Sequence, residues 1–276
     1  MFKIFVIIII AVGIFFWYPT SGDPIKKEIL SPTTPHSVQL PPAEHSKATV
    51  FLLSILPPKQ TCPDPIQKIW LSLNIEEAVQ ERTNDIEWVP ITDIPIEMQQ
   101  ALLAIEDHNF YNHGAIDVDG ILRATLVNIT AGEVVQGGST ITQQLTKNLF
   151  LSQEQTLIRK TEEALLSLVM EQHYSKDQLL EIYFNTTYFG AGATGIKSAA
   201  LTYFDKLPQE MQLAECAIIA ALPYAPSALN PLENPEGCKK RQRLVLQTMV
   251  KRGYIGTTLA EKTSAEPVFL ANGATF

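Results

Sequence analysis

The chain of 276 residues has only three cysteines and fewer basic than acidic side chains. Cys62, Cys216 and Cys238 show neither CxxC nor Cys/His spacing, so they support no metal site of that kind, and their odd number gives no disulfide framework. The 21 basic residues against 29 acidic ones leave a net charge of −8. This argues against nucleic acid as the main partner, because no basic excess is present to neutralise phosphates along a duplex.

The chain also lacks a convincing run of alternating apolar and polar residues after residue 95. Such alternation is typical of half-buried β-strands, whereas the apolar residues here recur at the helical period from about Ile66 onward. The sequence therefore predicts an all-α fold. Helices are predicted to open at Pro95, to begin near Thr140, Gln153 and Ser175, and to cover residues 119–130, 213–222 and 241–252.

Residues 190–195 match the dinucleotide-binding fingerprint GxGxxG. That fingerprint requires a strand before it and a helix after it in a βαβ unit. The preceding residues belong instead to the helix that begins near Ser175. We therefore reject nucleotide binding and expect the glycines to let a turn pack closely.

The N-terminus carries an uncharged apolar segment over residues 4–18, between Lys3 and Lys26. With its flanking aromatics it reaches about the minimum length that spans a bilayer. A cleaved signal peptide is the alternative, because small residues follow at 20–22. We favour a retained transmembrane helix, since bulky aromatics end the apolar run. In either case the rest of the chain is expected to be exported.

We divide the chain into four segments. Residues 1–22 form the anchor, 23–84 a juxtamembrane region rich in proline, 85–255 the main domain and 256–276 a C-terminal tail. The juxtamembrane region includes an apolar run at residues 48–56. This run is too short to cross a membrane, so it is a strand, a packed segment or an interfacial contact.

A polar run at residues 137–148 combines a glycine turn with a helix start. Thr140 and Gln143 have capping-box spacing, and Thr140, Gln144 and Lys147 then share one helical face. Their hydroxyl, amide and ammonium groups, beside free backbone N–H groups, are suited to sugars and phosphates. A well-capped surface helix is the alternative interpretation.

Two further clusters carry ionisable groups. Glu106 and Asp107 end an apolar helix, where burial would raise a carboxyl pKa and favour a general base or acid; a solvated helix end is the alternative. Arg159, Lys160 and Glu163 share a face at i, i+3 and i, i+4 spacing. They form either an exposed ion-pair helix or a carboxylate beside two phosphate-binding cations.

In combination these motifs resemble the peptidoglycan glycosyltransferases of glycosyltransferase family 51. The resemblance extends from about Trp88 to about Met249. One departure is that Gly114 and Ala115 follow His113 where the family has His-x-Gly, so a remodelled turn is expected. The resemblance is carried by residues 106–113, 137–148, 159–163, 176–190 and 213–226.

The resemblance implies a lysozyme-like, all-α domain that joins lipid-linked disaccharides. The 4-hydroxyl of an incoming lipid II attacks the anomeric carbon of the nascent glycan strand, undecaprenyl pyrophosphate departs, and the centre is inverted to a β-1,4 link. Glu106 matches the general base. Glu163 matches the second essential glutamate, which either orients cations or helps to hold a divalent ion (Mg or Mn) on the pyrophosphate; no organic cofactor is implied.

The remaining site residues are also implied by the resemblance. Lys147, Arg159 and Lys160 match pyrophosphate-binding positions, and Thr140, Gln144 and Asn148 match polar residues of the donor site. Substrate-binding roles are likewise expected for Asp107, Phe110, His113 and Ser139. Nothing in the chain resembles a Ser-x-x-Lys transpeptidase motif, so it is similar to the monofunctional members.

The implied location is the bacterial cytoplasmic membrane, with a single span and the catalytic domain outside. Expected partners are lipid II, the glycan strand, the membrane and other cell-wall synthesis proteins. Aliphatic residues 121–129 are expected to dip into the membrane. Two alternatives stay open: a lysozyme-like hydrolase that uses Glu106 and Glu163 as a carboxylate pair, and a non-catalytic wall-binding module.

Overall fold

The computed structural model describes residues 64–132, 137–152, 154 and 156–275, and this part of the chain is mainly helical. The predicted anchor at residues 1–22 and the apolar run at residues 48–56 lie outside the described residues. No helix within the described ranges is both long and apolar enough to cross a membrane. In chain order the α-helices are α1 (Asp64–Leu73), α2 (Ile75–Thr83), α3 (Ile96–Glu106), α4 (Val118–Ala131), α5 (Ile141–Phe150), α6 (Leu157–His173), α7 (Lys176–Thr186), α8 (Ile196–Phe204), α9 (Leu213–Ala221), α10 (Pro235–Lys251) and α11 (Thr257–Ala265).

Short 3₁₀ helices and one hairpin connect these elements. The antiparallel hairpin pairs β1 (Tyr188–Gly190) with β2 (Ala193–Thr194) and is the departure from the all-α prediction. Its strands have three and two residues, too few to show an alternating pattern. The 3₁₀ helices cover Ile91–Asp93, Phe110–Asn112, Pro208–Glu210 and Leu222–Tyr224.

The glycines of the rejected dinucleotide fingerprint form this hairpin rather than a βαβ unit. Gly190 and Gly195 have φ values of 92° and 84°, which favour glycine. A Cβ atom on Gly190 would lie 2.5 Å from the carbonyl oxygen of Pro226. The expectation that these glycines allow close packing is confirmed.

Helix α9 lies within the hydrophobic core. Its residues 214–221 are all buried, as expected for a helix that is apolar on every side. It packs against α3 and α10, and α3 buries Met98, Ala101 and Leu102. Because the core holds α3 in this way, the position of Glu106 at its C-terminal end is set by the core.

A second group of helices places α5 against α6 and α7. The α5–α6 interface includes buried hydroxyl groups, and Ser167 donates to Thr146 at 3.1 Å. Ser167 also donates to the carbonyl oxygen of Glu163 at 2.6 Å. These bonds satisfy buried polar groups and join the middle of α6 to α5.

The helix boundaries partly follow the predicted ones. Both capping boxes are present, at Thr140 and at Ser175. However, α6 begins at Leu157 rather than near Gln153, because Thr156 accepts from the backbone N–H of Arg159. Helix α10 also begins earlier than the predicted residues 241–252. Helices α8 and α11 were not predicted, and α1 and α2 lie within the segment that was predicted to be a juxtamembrane region.

Candidate active site

Glu106 is the last residue of α3, and its carboxylate is half-buried beside α5. Burial raises the pKa of Glu106, because a charged carboxylate loses hydration there. A hydrogen bond from Gln144 Nε2 to Glu106 Oε2, at 2.9 Å, and the charge of Arg241 act in the opposite direction. A carboxyl group with a raised pKa is suited to accept a proton from a substrate hydroxyl.

Gln144 links this carboxylate to a buried tyrosine. The Tyr183 hydroxyl on α7 donates to Gln144 Oε1 at 3.1 Å, and the Tyr183 side chain is fully buried. Tyr183 is not among the site residues that the sequence predicts. Its contact with the site depends on the packing of α7 on α5, which sequence spacing does not reveal.

Asp107 connects the end of α3 to the start of α5. Its Oδ2 accepts from the backbone N–H of Ile141 at 3.0 Å, and its Oδ1 lies 2.7 Å from His113 Nε2. His113 Nδ1 lies 2.5 Å from the carbonyl oxygen of Gly114. The turn at Gly114 is therefore held by His113, and both side chains lie next to Glu106 at the end of α3.

Thr140 begins α5 and is 1% exposed. Its hydroxyl accepts from the backbone N–H of Gln143 and donates to the carbonyl oxygen of Ala115 at 2.8 Å. The Thr140 hydroxyl therefore makes its hydrogen bonds to groups inside the fold. Thr140 therefore lies behind the predicted sugar-binding face instead of presenting its hydroxyl there.

Phe110 is 1% exposed and packs inside the fold. Its ring makes edge contacts with Tyr111 and His113, and the Lys176 ammonium lies 4.4 Å from its centroid. Neither Phe110 nor His113 lines a cavity beside Glu106. The Phe110 ring is packed internally and the His113 ring makes internal hydrogen bonds, and the substrate contacts predicted for both residues stay predictions.

A cavity of about 450 Å³ opens between α5 and α6. Three cations line it, together with the two carboxylates of Glu154 and Glu163, which leaves one positive charge at neutral pH. This excess is suited to a ligand with several negative charges, such as a diphosphate. Its lining residues from the predicted set are Ser139, Gln144, Lys147, Arg159, Lys160 and Glu163.

Glu163 is buried between two of these cations. Arg159 Nη1 donates to its Oε2 at 2.6 Å, and the Lys160 ammonium donates to its Oε1. Lys160 also donates to Ser139 Oγ at 2.9 Å. Glu163 is therefore paired with two cations of the cavity, as the first role implied by the resemblance, orienting those cations, would require.

The described residues do not fit a divalent cation held by the protein. No three His, Cys, Asp or Glu side chains among them converge on one point. Both carboxylate oxygens of Glu163 already accept from Arg159 and Lys160. The second role implied for Glu163, helping to hold a divalent ion on the pyrophosphate, stays a prediction.

A smaller recess of about 30 Å³ lies beside Glu106. Ser139 lines both the recess and the larger cavity, so the carboxylate and the cations belong to one continuous site. His108 and Arg123 also line the recess, and burial lowers the pKa of His108. By contrast, Asn148 is exposed on α5 and lines neither space.

Arg241 is a site residue that sequence reasoning missed. It extends from α10, where its guanidinium lies 4.1 Å from the ring centroid of Tyr224. Its charge favours the ionised form of Glu106 and so lowers the pKa of that carboxyl. In the sequence Arg241 is one of several basic residues in a helix, and no local pattern distinguishes it.

Comparisons with known proteins identify the family of this chain. A family model described as "Transglycosylase" matches residues 72–250. The chain is similar to penicillin-binding protein 1A of Aquifex aeolicus, with 41% identity over 79% of this chain and 31% of the relative. It is also similar to penicillin-binding protein 1A of Neisseria flavescens, with 48% identity over 65% of this chain and 22% of the relative. The chain thus spans less than a third of the length of these relatives.

One solved structure extends the comparison. Penicillin-binding protein 1A from Haemophilus influenzae aligns with 67% of this chain and 18% of that chain. The aligned residues are 24% identical, with a TM-score of 0.39.

Proposed function

Because this chain belongs to the transglycosylase family, we propose that it polymerises lipid II into β-1,4-linked peptidoglycan strands. The observation that carries the proposal is the junction at Gln144. This side chain donates to the carboxylate of Glu106 and also lines the cavity of Lys147, Arg159 and Lys160. In the proposal, the reacting centre lies between Glu106 as the proton acceptor and the cations of this cavity, which bind the diphosphate.

In the proposed reaction Glu106 accepts the proton of the incoming 4-hydroxyl. The hydroxyl oxygen bonds to the anomeric carbon of the growing strand, and the bond from that carbon to the pyrophosphate oxygen breaks. Undecaprenyl pyrophosphate leaves with the electron pair. In-line displacement inverts the α-linked centre to a β-linkage.

Lys147, Arg159 and Lys160 are proposed to stabilise the leaving pyrophosphate. Negative charge develops on its oxygens in the transition state, and fixed cations lower the energy of that state. Glu163 holds two of these cations in place. The pyrophosphate is already a good leaving group, so the proposed reaction uses no organic cofactor.

The cations also favour polymerisation over the lysozyme-like alternative. Hydrolysis of a finished strand releases a sugar alcohol, whose oxygen needs a proton rather than positive charge. Glu163, the second carboxylate of that alternative, is engaged by Arg159 and Lys160. We therefore propose transfer, not hydrolysis, as the activity of this site.

We further propose that the domain acts at the outer face of the bacterial cytoplasmic membrane, anchored by residues 1–22 and working beside other cell-wall synthesis proteins. Helix α4 supports a membrane contact because Leu122, Leu126 and Ile129 are 62%, 71% and 75% exposed. Such a cluster on one helix is typical of an interaction surface. A lipid-linked substrate could then reach the site from the bilayer.

Incubation of the purified full chain with lipid II, and separately with finished glycan strands, tests the function. Longer products from lipid II are expected, with no shortening of the strands. Glu106→Gln is expected to abolish elongation while leaving the fold intact. The matched control is Glu97→Gln, which changes an exposed carboxylate on the same helix and should keep full activity. An active Glu106→Gln variant would contradict the proposal that Glu106 is the general base.

A further inference from the structure

Three side chains form a hydrogen-bond chain that ends at the carboxylate of Glu106. The Tyr183 hydroxyl donates to Gln144 Oε1 at 3.1 Å, and Gln144 Nε2 donates to Glu106 Oε2 at 2.9 Å. Tyr183 is fully buried on α7, and Gln144 is half-buried on α5. Each member of the chain is carried by a different helix.

The carboxamide of Gln144 can face Glu106 in two ways. With its NH₂ group toward the carboxylate it donates a hydrogen bond, whereas with its oxygen in that place it would repel the negative charge. The ionised carboxylate can only accept and so favours the first orientation, and the Tyr183 hydroxyl stabilises it further by donating to the amide oxygen on the far side. Together the two hydrogen bonds hold the carboxamide in this orientation.

We propose that Tyr183 is a positioning residue for the general base, acting through Gln144 to keep an N–H donor on the carboxylate of Glu106. This inference rests on the proposed function, in which Glu106 accepts the proton. Tyr183 itself does not line the site, so its role is indirect. It differs from a packing role because it needs the hydroxyl group and not only the ring.

The other groups that act on Glu106 would be unchanged by removing this hydroxyl. They are Arg241 from α10, Lys147 from α5 and the adjacent Asp107. Loss of the Tyr183 hydroxyl frees the amide to turn, which weakens the donor that favours the ionised carboxylate. The pKa of Glu106 is then expected to rise further above its usual range.

The direction of the kinetic effect follows from the role of the base. Glu106 must be ionised to accept a proton, so the rate falls as the pH drops through its pKa. A higher pKa moves this acidic limb of the profile to higher pH. We expect a shift of roughly half to one pH unit for Tyr183→Phe, the size typical of one lost hydrogen bond to a carboxylate.

The test measures kcat/KM for lipid II polymerisation against pH for the full chain and for Tyr183→Phe. Tyr203→Phe is the matched control, because it removes another fully buried tyrosine hydroxyl, one that donates to the Phe189 carbonyl oxygen at 2.9 Å. Its profile should coincide with that of the unmodified chain. Incomplete folding of Tyr183→Phe would lower the height of its profile without moving the limb.

A second variant tests whether the shift of the pH profile is transmitted through the hydrogen bonds from Tyr183 to Gln144 and Glu106. Gln144→Leu should shift the limb in the same direction, and adding Tyr183→Phe to it should produce no further shift. A limb for Tyr183→Phe that coincides with the unmodified one would overturn the positioning role, as would fully additive shifts. An active Glu106→Gln variant would instead overturn the proposed function, so the two failures are distinguishable.

Discussion

Glu106 is expected to reduce the stability of the fold at neutral and alkaline pH, because burial favours its uncharged form. Its folded-state pKa lies above the unfolded value. The carboxyl group therefore contributes stability below the unfolded pKa, and this contribution is lost as the pH rises through the folded pKa. The burial that would suit Glu106 to its proposed catalytic role thus also lowers the stability of the fold, a common trade-off between activity and stability.

We predict that Glu106→Gln raises the melting temperature at pH 8 and that the gain becomes smaller towards pH 4. Gln removes the ionisation that is unfavourable at high pH but resembles the protonated acid at low pH. Thermal unfolding of both proteins across this range measures the effect, with Glu97→Gln as the exposed control on α3. A gain that does not depend on pH would contradict the prediction.

Lys160 is predicted to matter more for substrate use than for stability. Lys160→Ala should lower kcat/KM for lipid II by roughly 10- to 100-fold, because a charge-assisted contact to the pyrophosphate is worth about 1.5–3 kcal/mol. Glu163 keeps its bond to Arg159, so the melting temperature should change little. The control is Lys262→Ala, whose side chain is 74% exposed on α11. A large fall in melting temperature at an unchanged rate would indicate a structural role.

The residues that could be predicted are those whose relationship is local. Arg159, Lys160 and Glu163 lie within one turn of a helix, so their shared face follows from helical geometry alone. Tyr183 and Arg241 act on Glu106 from α7 and α10, which come near it only through tertiary packing. No pattern in one sequence encodes that proximity.

At the scale of the elements, the two capping boxes have different surroundings. Ser175 caps α7 at the surface, whereas Thr140 caps α5 inside the fold and also donates to the buried carbonyl oxygen of Ala115. We predict that Ser175→Ala costs about 1 kcal/mol of unfolding free energy. Thr140→Ala should cost about 1–3 kcal/mol more, because a buried acceptor loses its donor.

Urea unfolding of the two variants measures this difference directly. Unchanged m values would show that the compactness of the folded and unfolded states is preserved. Equal losses for Thr140→Ala and Ser175→Ala would mean that the bond to Ala115 contributes nothing beyond the cap.

Two of the helix starts that agree with the sequence have a capping box. Thr140 and Ser175 carry side chains that bond the first turn, and both starts agree with the sequence. The two unpredicted helices, α8 and α11, begin after Gly195 and Gly256, which make no side-chain cap bond. A glycine cap leaves no signal comparable to a capping box, so these helices depend on packing to define them.

At the scale of the whole molecule, the exposed apolar residues of α4 form a surface near the site. Gly138, which follows α4 in the chain and lines the recess beside Glu106, packs closely against Ile121. A membrane-immersed α4 would therefore bring the recess to the level of the lipid headgroups, where the pyrophosphate of a lipid-linked substrate lies.

We predict that the double substitution Leu122→Ser and Leu126→Ser impairs the use of lipid II only when that substrate is in a bilayer. Full burial of one leucine side chain is worth about 1.5–3 kcal/mol, so partial immersion of two should change the apparent KM about tenfold or more. With a short-chain, water-soluble lipid II analogue the rate should be unchanged, because neither leucine lines the site.

The comparison of the two substrates separates membrane contact from damage to the fold. A misfolded variant loses activity on both substrates, whereas a variant that no longer engages lipid loses it only on vesicles. Leu244→Ser and Leu259→Ser together form the matched control, since these leucines are 41% and 46% exposed on α10 and α11. Equal KM values for the α4 variant and this control on vesicles would refute the membrane contact of α4. The exposed apolar face of α4 would then be a candidate surface for binding a protein partner.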